Sequence, residues 1–224
     1  MRLLGNTDDI WAPGQFVNIK IDGFFLRRPI SVCSYSQGQL TLLYKVFGAG
    51  TKKLSQMVPN ETLDLLVGLG NGFDTDPAQG KKVVLVGGGV GVPPLYGLAE
   101  ALLEEGVTDL QLVMGFEGKD DVFYQEEFET LGVKVFVCTK DGAEGTKGLV
   151  TDILSTLSYD YYYTCGPMGM LKAVHSLGKE GQLSFEERMG CGFGACMGCT
   201  CQTITGGKRI CIEGPVLESG EVLL

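Results

Sequence analysis

Apolar strands alternate with helical segments between residues 81 and 166, and this alternation constrains the fold more than any other feature. The run KKVVLVGGG (81–89) is typical of a buried strand, and PPLYGLAEALLEEG (93–106) has the apolar spacing of a helix. Later segments repeat the pattern, with strands predicted over 109–116, 134–139 and 160–166 and helices over 122–132 and 148–157. Strands joined by helices form a parallel, doubly wound sheet. The sequence therefore predicts an α/β domain over residues 77–183.

Residues 1–76 have a different pattern, which predicts an antiparallel β-barrel. QFVNIKI (15–21) alternates polar and apolar residues, and QLTLLYKVF (39–47) is rich in apolar and aromatic residues. Turns such as APG and SQG separate these runs. Closing such strands into a barrel is the simplest way to pair their edges. The first strand starts at MRLL, so the barrel is expected to be short at its N-terminal end.

Composition narrows the functional classes. The net charge of −9 disfavours a nucleic-acid partner. No apolar run reaches the roughly 18 residues that span a bilayer, and no signal-peptide pattern is present, so we expect a cytoplasmic protein without a membrane partner. His175 is the only histidine, which leaves little basis for His-ligated metals or for Ser-His-Asp chemistry.

Cysteines concentrate in the tail of the chain, where five of the eight lie beyond residue 190. A disulfide framework is expected mainly in small secreted domains, and this chain is neither small nor predicted to be secreted. The other three, Cys33, Cys138 and Cys165, are scattered and are interpreted as buried small apolar side chains.

The spacing of the tail is Cys191-x4-Cys196-x2-Cys199-x11-Cys211. Zinc sites prefer a second cysteine pair or histidines, and the tail has neither. The C-x4-C-x2-C spacing with a distant fourth cysteine is that of plant-type [2Fe–2S] loops. Cys201 breaks this spacing and is interpreted as a non-ligand. The tail therefore predicts a [2Fe–2S] cluster held by four cysteines, with zinc and redox or structural thiols as alternatives.

Two glycine-containing loops indicate a nucleotide site. VVLVGGGVGVPPL (83–95) has a strand, a glycine turn and a helix start, the arrangement that presents backbone N–H groups to a pyrophosphate. It is not a G-x-G-x-x-G motif because the sixth position is Pro94, and a purely structural turn stays possible. The tripeptide CGP (165–167) follows the last predicted strand, where parallel sheets form ligand sites.

Two short motifs in the first region are suited to bind a phosphate. RRPIS (27–31) places Arg28 before a predicted proline turn and near the Ser31 hydroxyl, and such a pair can hold a phosphate. GAGT (48–51) offers backbone N–H groups at the start of a predicted helix. Each signal alone is weak, since an arginine at a strand edge is common.

Together these motifs resemble the ferredoxin–NADP reductase superfamily. Arg28-Pro29-Ile30-Ser31 resembles its flavin motif, Gly87–Pro94 its nicotinamide-nucleotide loop, and Cys165-Gly166-Pro167 with Met170 its C-G-P-x-x-M element. With the cysteine tail added, the chain resembles the electron-transfer subunits of dihydroorotate dehydrogenase B from about Pro13 to its end. The family has more residues before its first strand, and its gap between the last two ligands is slightly longer.

The resemblance implies three domains and their cofactors. Residues 1–76 would bind FAD, residues 77–183 NAD(H), and residues 184–224 the [2Fe–2S] cluster. The FAD contacts would be Arg28, Pro29, Ile30, Ser31, Leu43, Tyr44, Lys45, Gly50 and Thr51. The NAD contacts would be Gly87, Gly88, Gly89, Gly91, Gly166 and Pro167, with Cys165 near the nicotinamide. The cluster ligands would be Cys191, Cys196, Cys199 and Cys211.

The segment after strand 109–116 predicts a preference for NADH over NADPH. A carboxylate accepts the ribose 2′-OH, whereas an arginine suits a 2′-phosphate. Glu117, Lys119, Asp120 and Asp121 give this segment a net negative charge, and we expect Glu117 or Asp120 to be the discriminating carboxylate. The alternative is a solvated loop in which Asp121 caps the following helix.

The resemblance also implies a partner. The chain would pass electrons between NAD(H) and an FMN-binding dihydroorotate dehydrogenase catalytic subunit in pyrimidine biosynthesis, in a heterotetramer with two copies of each subunit. An alternative in the same class is an electron-transfer subunit of another NAD(P)H complex, of the bifurcating transhydrogenase or sulfhydrogenase type. An alternative in another class is a zinc-stabilised binding module without redox function.

Overall fold

A computed structural model describes all 224 residues. The first part is a five-stranded sheet in which every neighbouring pair is antiparallel, in the order β1-β4-β3-β2-β5. Its elements are β1 (Arg2–Leu4), β2 (Phe16–Ile19), β3 (Arg28–Ser36), β4 (Gln39–Leu42), helix α1 (Gly48–Leu54) and β5 (Leu65–Leu69). The antiparallel pairing agrees with the prediction, but β1 and β5 are edges that do not pair with each other, so this pairing does not close a barrel. The edge strand β1 is three residues long and none of it is buried.

Two local predictions in this sheet are wrong. The strand predicted over 39–47 ends at Leu42, because residues 43–47 have no partner strand. Arg28 does not precede a turn, since it is the first residue of β3 and lies opposite Ile19. Pro29 follows within the strand, near its start, where the missing N–H of a proline is tolerated.

The second part contains a parallel sheet of six strands connected mainly by helices. In chain order its elements are β6 (Val83–Gly88), α2 (Pro93–Glu104), β7 (Leu110–Phe116), α3 (Gln125–Thr130), β8 (Lys134–Thr139), β9 (Thr146–Lys147), α4 (Val150–Leu154), β10 (Tyr161–Cys165), α5 (Met168–His175) and β11 (Glu180–Ser184). The pairs β11-β10-β6-β7-β8-β9 are all parallel, which confirms the predicted α/β arrangement.

Helices cover both faces of this sheet. Val83 and Leu85 of β6 belong to the core shared with α2, whereas Val84 and Val86 belong to the core shared with α4 and α5. Buried apolar residues on both faces explain why β6 reads as a continuous hydrophobic run. Two of the helices are shorter than predicted. α3 starts only at Gln125 because Tyr124 has a left-handed backbone with φ 65°, and α4 ends at Leu154.

The cysteine-rich tail forms a hairpin and then returns to the large sheet. Strands β12 (Thr200–Thr203) and β13 (Gly206–Arg209) pair with each other. Strand β14 (Val216–Glu218) adds to the large sheet, antiparallel to β11. The cysteine-rich tail is therefore anchored to the large sheet by backbone hydrogen bonds between β14 and β11. None of the helices is both long and apolar enough to cross a membrane.

Candidate functional site

A cavity of about 860 Å³ lies at the carboxyl ends of the parallel strands. This is the edge at which open α/β sheets bind ligands, and the volume is that of a typical small-molecule site. Its lining includes residues that follow four strands of the large sheet and a segment of the first sheet. These are Gly88 and Gly89 at the end of β6, Glu117 after β7, Lys140 after β8, Pro167 after β10, and Leu43, Tyr44 and Lys45 after β4. Four of the predicted NAD residues and three of the predicted FAD residues therefore share one cavity.

The other predicted NAD residues support this cavity from behind its lining. A Cβ on Gly91 would lie 2.2 Å from the Cys165 carbonyl oxygen, and a Cβ on Gly87 would lie 2.7 Å from the Val92 side chain. A Cβ on Gly166 would lie 3.0 Å from the backbone nitrogen of Gly88. The glycine turn and the CGP turn thus pack backbone against backbone, and a side chain at these positions would push them apart.

Cys165 is placed differently from its predicted role near a nicotinamide. Its side chain is buried and is absent from the cavity lining. Burial raises the pKa of the thiol to about 12, so the group is neutral at physiological pH. The structure thus gives it the surroundings of a packed thiol, and contact with a nicotinamide stays a prediction.

The acidic segment after β7 carries a lysine partner that the sequence did not indicate. Glu117 accepts a hydrogen bond of 2.6 Å from the Lys140 ammonium, and both groups line the cavity. Their side chains are 73% and 56% exposed, so the pair is weakly held and can open for a ligand. Asp121 lies 3.8 Å from Lys45, which reaches across from the first sheet. An ion pair between Lys45 and Asp121 therefore joins the two sides of the cavity.

The two predicted phosphate motifs of the first sheet come together. A Cβ on Gly50 would lie 2.5 Å from Arg28 Nε, so the guanidinium rests on the backbone at the start of α1. Arg28 stacks over the Phe24 ring at 5.0 Å and forms no ion pair with any carboxylate of the chain. An uncompensated guanidinium beside a helix start fits a phosphate group of FAD.

The remaining predicted FAD residues divide by location. Pro29, Ile30 and Ser31 follow Arg28 along β3. Thr51 is buried, and its hydroxyl accepts a hydrogen bond of 2.7 Å from the Phe47 N–H. This hydroxyl therefore holds the start of α1 in place.

The cysteine loop, residues 191–199, offers backbone N–H groups to its thiols. Cys191 Sγ accepts a hydrogen bond of 3.4 Å from the Cys196 N–H. Partial burial opposes ionisation, but the N–H groups of Phe193, Cys196 and Ala195 outweigh it and lower the pKa of the Cys191 thiol to about 6. Donors of this kind also stabilise the sulfurs of an iron–sulfur cluster, so the loop chemistry fits one.

The four predicted ligands influence one another. Cys191 interacts with Cys196 and Cys211 with Cys199, and the charge of Cys191 also acts on Cys211. Burial and the Cys199 contact raise the pKa of Cys211 to about 12. No three Cys, His, Asp or Glu side chains surround a common point, so the four thiols do not form a preformed cage. Cys201 lies in β12, opposite Lys208 in the hairpin.

Glycines give the loop its shape. Gly192 and Gly194 have φ values of 80° and 89°, which residues with a side chain rarely adopt. A Cβ on Gly192 would lie 2.4 Å from Asn18 Nδ2, and one on Gly194 would lie 2.7 Å from Ile212 Cγ1. The loop is therefore packed tightly against β2 on one side and the segment after Cys211 on the other.

Three residues around the loop were missed by the sequence analysis. Asn18 of β2 donates a hydrogen bond of 3.0 Å to the Cys191 carbonyl. Arg209 donates one of 3.1 Å to the Gly194 carbonyl and is paired with Glu213, whose pKa the guanidinium lowers to about 2. No sequence signal links Asn18 to the loop, but an Arg and a Glu four residues apart around Cys211 could have suggested a local clamp.

Comparisons with known proteins agree with this geometry. A family model described as the iron–sulfur cluster binding domain of dihydroorotate dehydrogenase B matches residues 186–223. Another, described as the oxidoreductase NAD-binding domain, matches residues 85–176. The electron transfer subunit of dihydroorotate dehydrogenase B (NAD(+)) from Geobacillus sp. (strain WCH70) is 47% identical to the chain, covering 97% of the chain and 89% of the relative. The subunit of the same name from Bacillus mycoides (strain KBAB4) is 46% identical over 95% of the chain and 87% of its own length.

The chain belongs to the family of dihydroorotate dehydrogenase B electron transfer subunits. The resemblance stated from the motifs is therefore confirmed, as is the prediction of an oxidoreductase subunit with NAD, flavin and iron–sulfur cofactors. Membership also disfavours the zinc-stabilised module, because the family model that covers the tail describes an iron–sulfur domain.

Solved structures support the same fold. The NADH-dependent reduced ferredoxin-NADP oxidoreductase structure, described for flavin-based electron bifurcation, matches with a TM-score of 0.83 and 29% identity, covering 96% of this chain and 80% of that one. The cytochrome b5 reductase domain of Ulva prolifera nitrate reductase matches with a TM-score of 0.60 and 17% identity, over 81% of this chain and 84% of that one. The second likeness shows a shared fold alone.

Proposed function

We propose that this subunit passes electrons between NAD(H) and an FMN-binding dihydroorotate dehydrogenase catalytic subunit, in a heterotetramer with two copies of each chain. The observation that carries the proposal is the shared cavity. The glycine turn at Gly88 and Gly89 and the segment Leu43 to Lys45 line the same space, so a nicotinamide and a flavin can meet there. When bound, NAD(H) would exchange a hydride, FAD would link this two-electron exchange to single-electron transfer, and the [2Fe–2S] cluster would carry single electrons.

The chain's own groups would place FAD along the first sheet. Arg28 would hold a phosphate through its guanidinium, and Gly50 leaves room for that contact. Pro29, Ile30 and Ser31 would line the flavin along β3, and Leu43, Tyr44 and Lys45 would extend the contact into the cavity. Thr51 would act indirectly by fixing the start of α1.

Other groups would place the nucleotide at the parallel sheet. The backbone of Gly88 and Gly89 would face the pyrophosphate at the start of α2, and Pro167 would line the nicotinamide side. Gly87, Gly91 and Gly166 would act by permitting the close packing of the two turns. Glu117 would accept the ribose 2′-OH. On this assignment residues 1–76, 77–183 and 184–224 are the FAD, NAD and cluster domains.

The four cysteines Cys191, Cys196, Cys199 and Cys211 would ligate the cluster. The tail packs against the first sheet through Asn18 and against the large sheet through β14. It therefore lies beside both of the other cofactor regions, as an electron acceptor must.

The experiment is reconstitution with the catalytic subunit encoded by the same genome. We expect the two chains to co-purify and dihydroorotate to reduce NAD+ only when both are present. The isolated chain, loaded with FAD and cluster, should reduce an artificial dye with NADH. Active dye reduction without any dihydroorotate-dependent reduction of NAD+ in the reconstituted mixture would overturn the proposed partner.

A second candidate is an electron transfer role in a bifurcating transhydrogenase. The observation that favours it is the TM-score of 0.83 with the NADH-dependent reduced ferredoxin-NADP oxidoreductase structure. The 47% identity with the Geobacillus relative outweighs the 29% identity with that structure. Reduction of NADP+ by NADH and reduced ferredoxin, in place of dihydroorotate oxidation, would establish this alternative.

A further inference from the structure

Strand β2 of the first sheet has one face in the core of that sheet and the other toward the cysteine-rich tail. Val17 and Ile19 point into the core of the first sheet. Phe16, on the opposite side of the strand, belongs to the core that contains Cys199 and Cys211. Because side chains alternate along a strand, Asn18 is on the same face as Phe16 and lies toward the cysteine-rich tail.

Asn18 joins two cofactor regions that are far apart in the chain. The residue is 1% exposed, and Nδ2 donates a hydrogen bond of 3.0 Å to the carbonyl of Cys191, 173 positions away. In the sheet it lies opposite Pro29, within the proposed flavin motif. Gly192 closes over the amide, since a Cβ there would come within 2.4 Å of Nδ2. No larger residue at 192 would allow this contact.

The amide is an unfavourable choice for packing alone. Asn18 Oδ1 is buried and has no hydrogen-bond partner. A buried acceptor without a donor loses the hydrogen bonds it would make with water, which costs free energy. An apolar residue of similar size would avoid that cost. What asparagine supplies at this position is therefore the N–H donor that faces the Cys191 carbonyl.

We infer that Asn18 is a positioning residue for the cluster, which holds the Cys191 loop against the flavin strand and stabilises the negative charge that the cluster gains on reduction. Hydrogen-bond donors around the ligands of an iron–sulfur cluster set its reduction potential. A donor on the ligand's carbonyl polarises that peptide and places partial positive charge near the cluster. The inference rests on the proposed role of Cys191 as a ligand.

The test compares Asn18→Leu with Asn71→Leu in the full chain loaded with FAD and cluster. Asn71 is the control because it also fastens the first part of the chain to the tail. It donates 2.7 Å to the Val216 carbonyl and 3.4 Å to the Glu213 carbonyl, and it accepts 3.1 Å from the Val216 N–H, but it forms no hydrogen bond with residues 191–199. The readouts are the cluster potential from a paramagnetic-resonance redox titration, the signal shape of the reduced cluster, and the FAD content. Asn18→Ala is a second variant in case leucine does not fit.

In Asn18→Leu we expect the potential to move to a more negative value, the signal shape to change, and chelators to remove iron about tenfold faster. FAD content should be unchanged, and Asn71→Leu should keep the wild-type potential. Loss of the cluster with FAD retained, in the Asn18 variants only, also supports the positioning role. Unchanged potential and signal shape in both Asn18 variants overturn it, as does equal loss of both cofactors in the Asn18 and Asn71 variants.

Cys191→Ser separates this inference from the proposed ligand set. A cluster retained in that variant overturns the assignment of Cys191 and with it the role of Asn18. A cluster lost in Cys191→Ser, combined with an unchanged potential in Asn18→Leu, overturns the role of Asn18 alone and leaves the ligand set standing.

Discussion

The guanidinium of Arg28 lies against the backbone of Gly50. A Cβ at position 50 would meet Arg28 Nε at 2.5 Å and Nη2 at 2.8 Å, and Gly50 is buried. The first residue of β3 and the start of α1 thus form one cationic site, although separate motifs encode them. The absence of a side chain at position 50 is what lets the charge approach the helix.

Gly50→Ala is expected to weaken FAD binding almost as much as Arg28→Ala does. The methyl group displaces the guanidinium, and loss of a charge-assisted hydrogen bond of about 1.5–3 kcal/mol corresponds to about a 10- to 100-fold weaker affinity. The double variant should be little worse than either single one, because both changes remove the same contact. Flavin fluorescence titration of the apoprotein measures each affinity.

Gly5→Ala is the control for this comparison, because a Cβ there meets nothing within 4 Å. It should leave FAD affinity unchanged. Fully additive losses in the double variant would show that Gly50 and Arg28 act on FAD separately.

Serine substitution of any of the four proposed ligands should abolish the cluster's visible absorption and its reduced-state paramagnetic signal. Thiolate sulfur is the ligand that holds such clusters, and a hydroxyl is a poor replacement. Cys201→Ser should retain both signals, because Cys201 lies in the hairpin outside the plant-type spacing. Signal lost with Cys201→Ser but kept with Cys199→Ser would reverse the roles of these two residues.

Glu213→Gln should shorten the lifetime of the bound cluster. Glu213 pairs with Arg209, which in turn donates to the Gly194 carbonyl of the cysteine loop. Hydrogen bonding by Arg209 lowers the pKa of Glu213 to about 2, so the stabilisation is present above the ordinary carboxyl pKa of 4.5 and is lost as pH falls toward 2. The decay of visible absorption at neutral pH should be several-fold faster, in line with losses at supporting residues of metal sites.

The comparison for that measurement is Glu221→Gln. Glu221 pairs with Lys208 in the same tail, but neither residue touches the cysteine loop through a hydrogen bond. Equal acceleration of cluster decay in both variants would mean that the tail is merely destabilised.

The sequence was most informative where the signal is local. The run around Val84 and Val86 is apolar on both faces, and the glycine turn and helix that follow it occur where predicted, because one continuous segment encodes them. The cysteine spacing likewise identified the tail, and the family model for iron–sulfur binding matches it. The alternation of strands and helices likewise predicted the parallel pairing of β6 to β11.

Long-range contacts could not be predicted. The strand 39–47 fails after Leu42 because no neighbouring strand is there to pair with it, and a partner's position is not written in the segment itself. The bond from Asn18 to Cys191 spans 173 positions, and Lys140 meets Glu117 only because β7 and β8 are neighbours. These contacts depend on the completed fold.

Cys165→Ala should leave the pH dependence of NADH oxidation unchanged near neutrality. Burial raises the pKa of this thiol from 9.0 to about 12, so it stays protonated throughout the working range. Above pH 9 the unfolded chain ionises first, and the stability contributed by the neutral thiol falls as pH rises toward 12. The alanine variant should therefore lose less Tm between about pH 8 and about pH 10 than the wild type does. A shifted pH profile of activity in the variant would instead show that the thiol titrates during the reaction.

Glu117→Gln should reduce the preference for NADH. The carboxylate can accept the ribose 2′-OH and repels a 2′-phosphate, whereas a neutral amide does less of both. Its removal also leaves the Lys140 ammonium, now 2.6 Å from Glu117, without a partner at the cavity wall. We expect kcat/KM for NADH to fall about 10- to 100-fold and that for NADPH to rise, because losing a charged hydrogen bond costs about 1.5–3 kcal/mol.

Lys140→Ala in the Glu117→Gln background should cancel the gain with NADPH. Lys119→Ala is the matched control, since Lys119 pairs with Glu144 and does not line the cavity. Dye reduction with each nucleotide measures these three variants and Asp120→Asn. An effect of Asp120→Asn in place of Glu117→Gln would move the role to Asp120, and no effect of either would mean that the segment is a solvated loop.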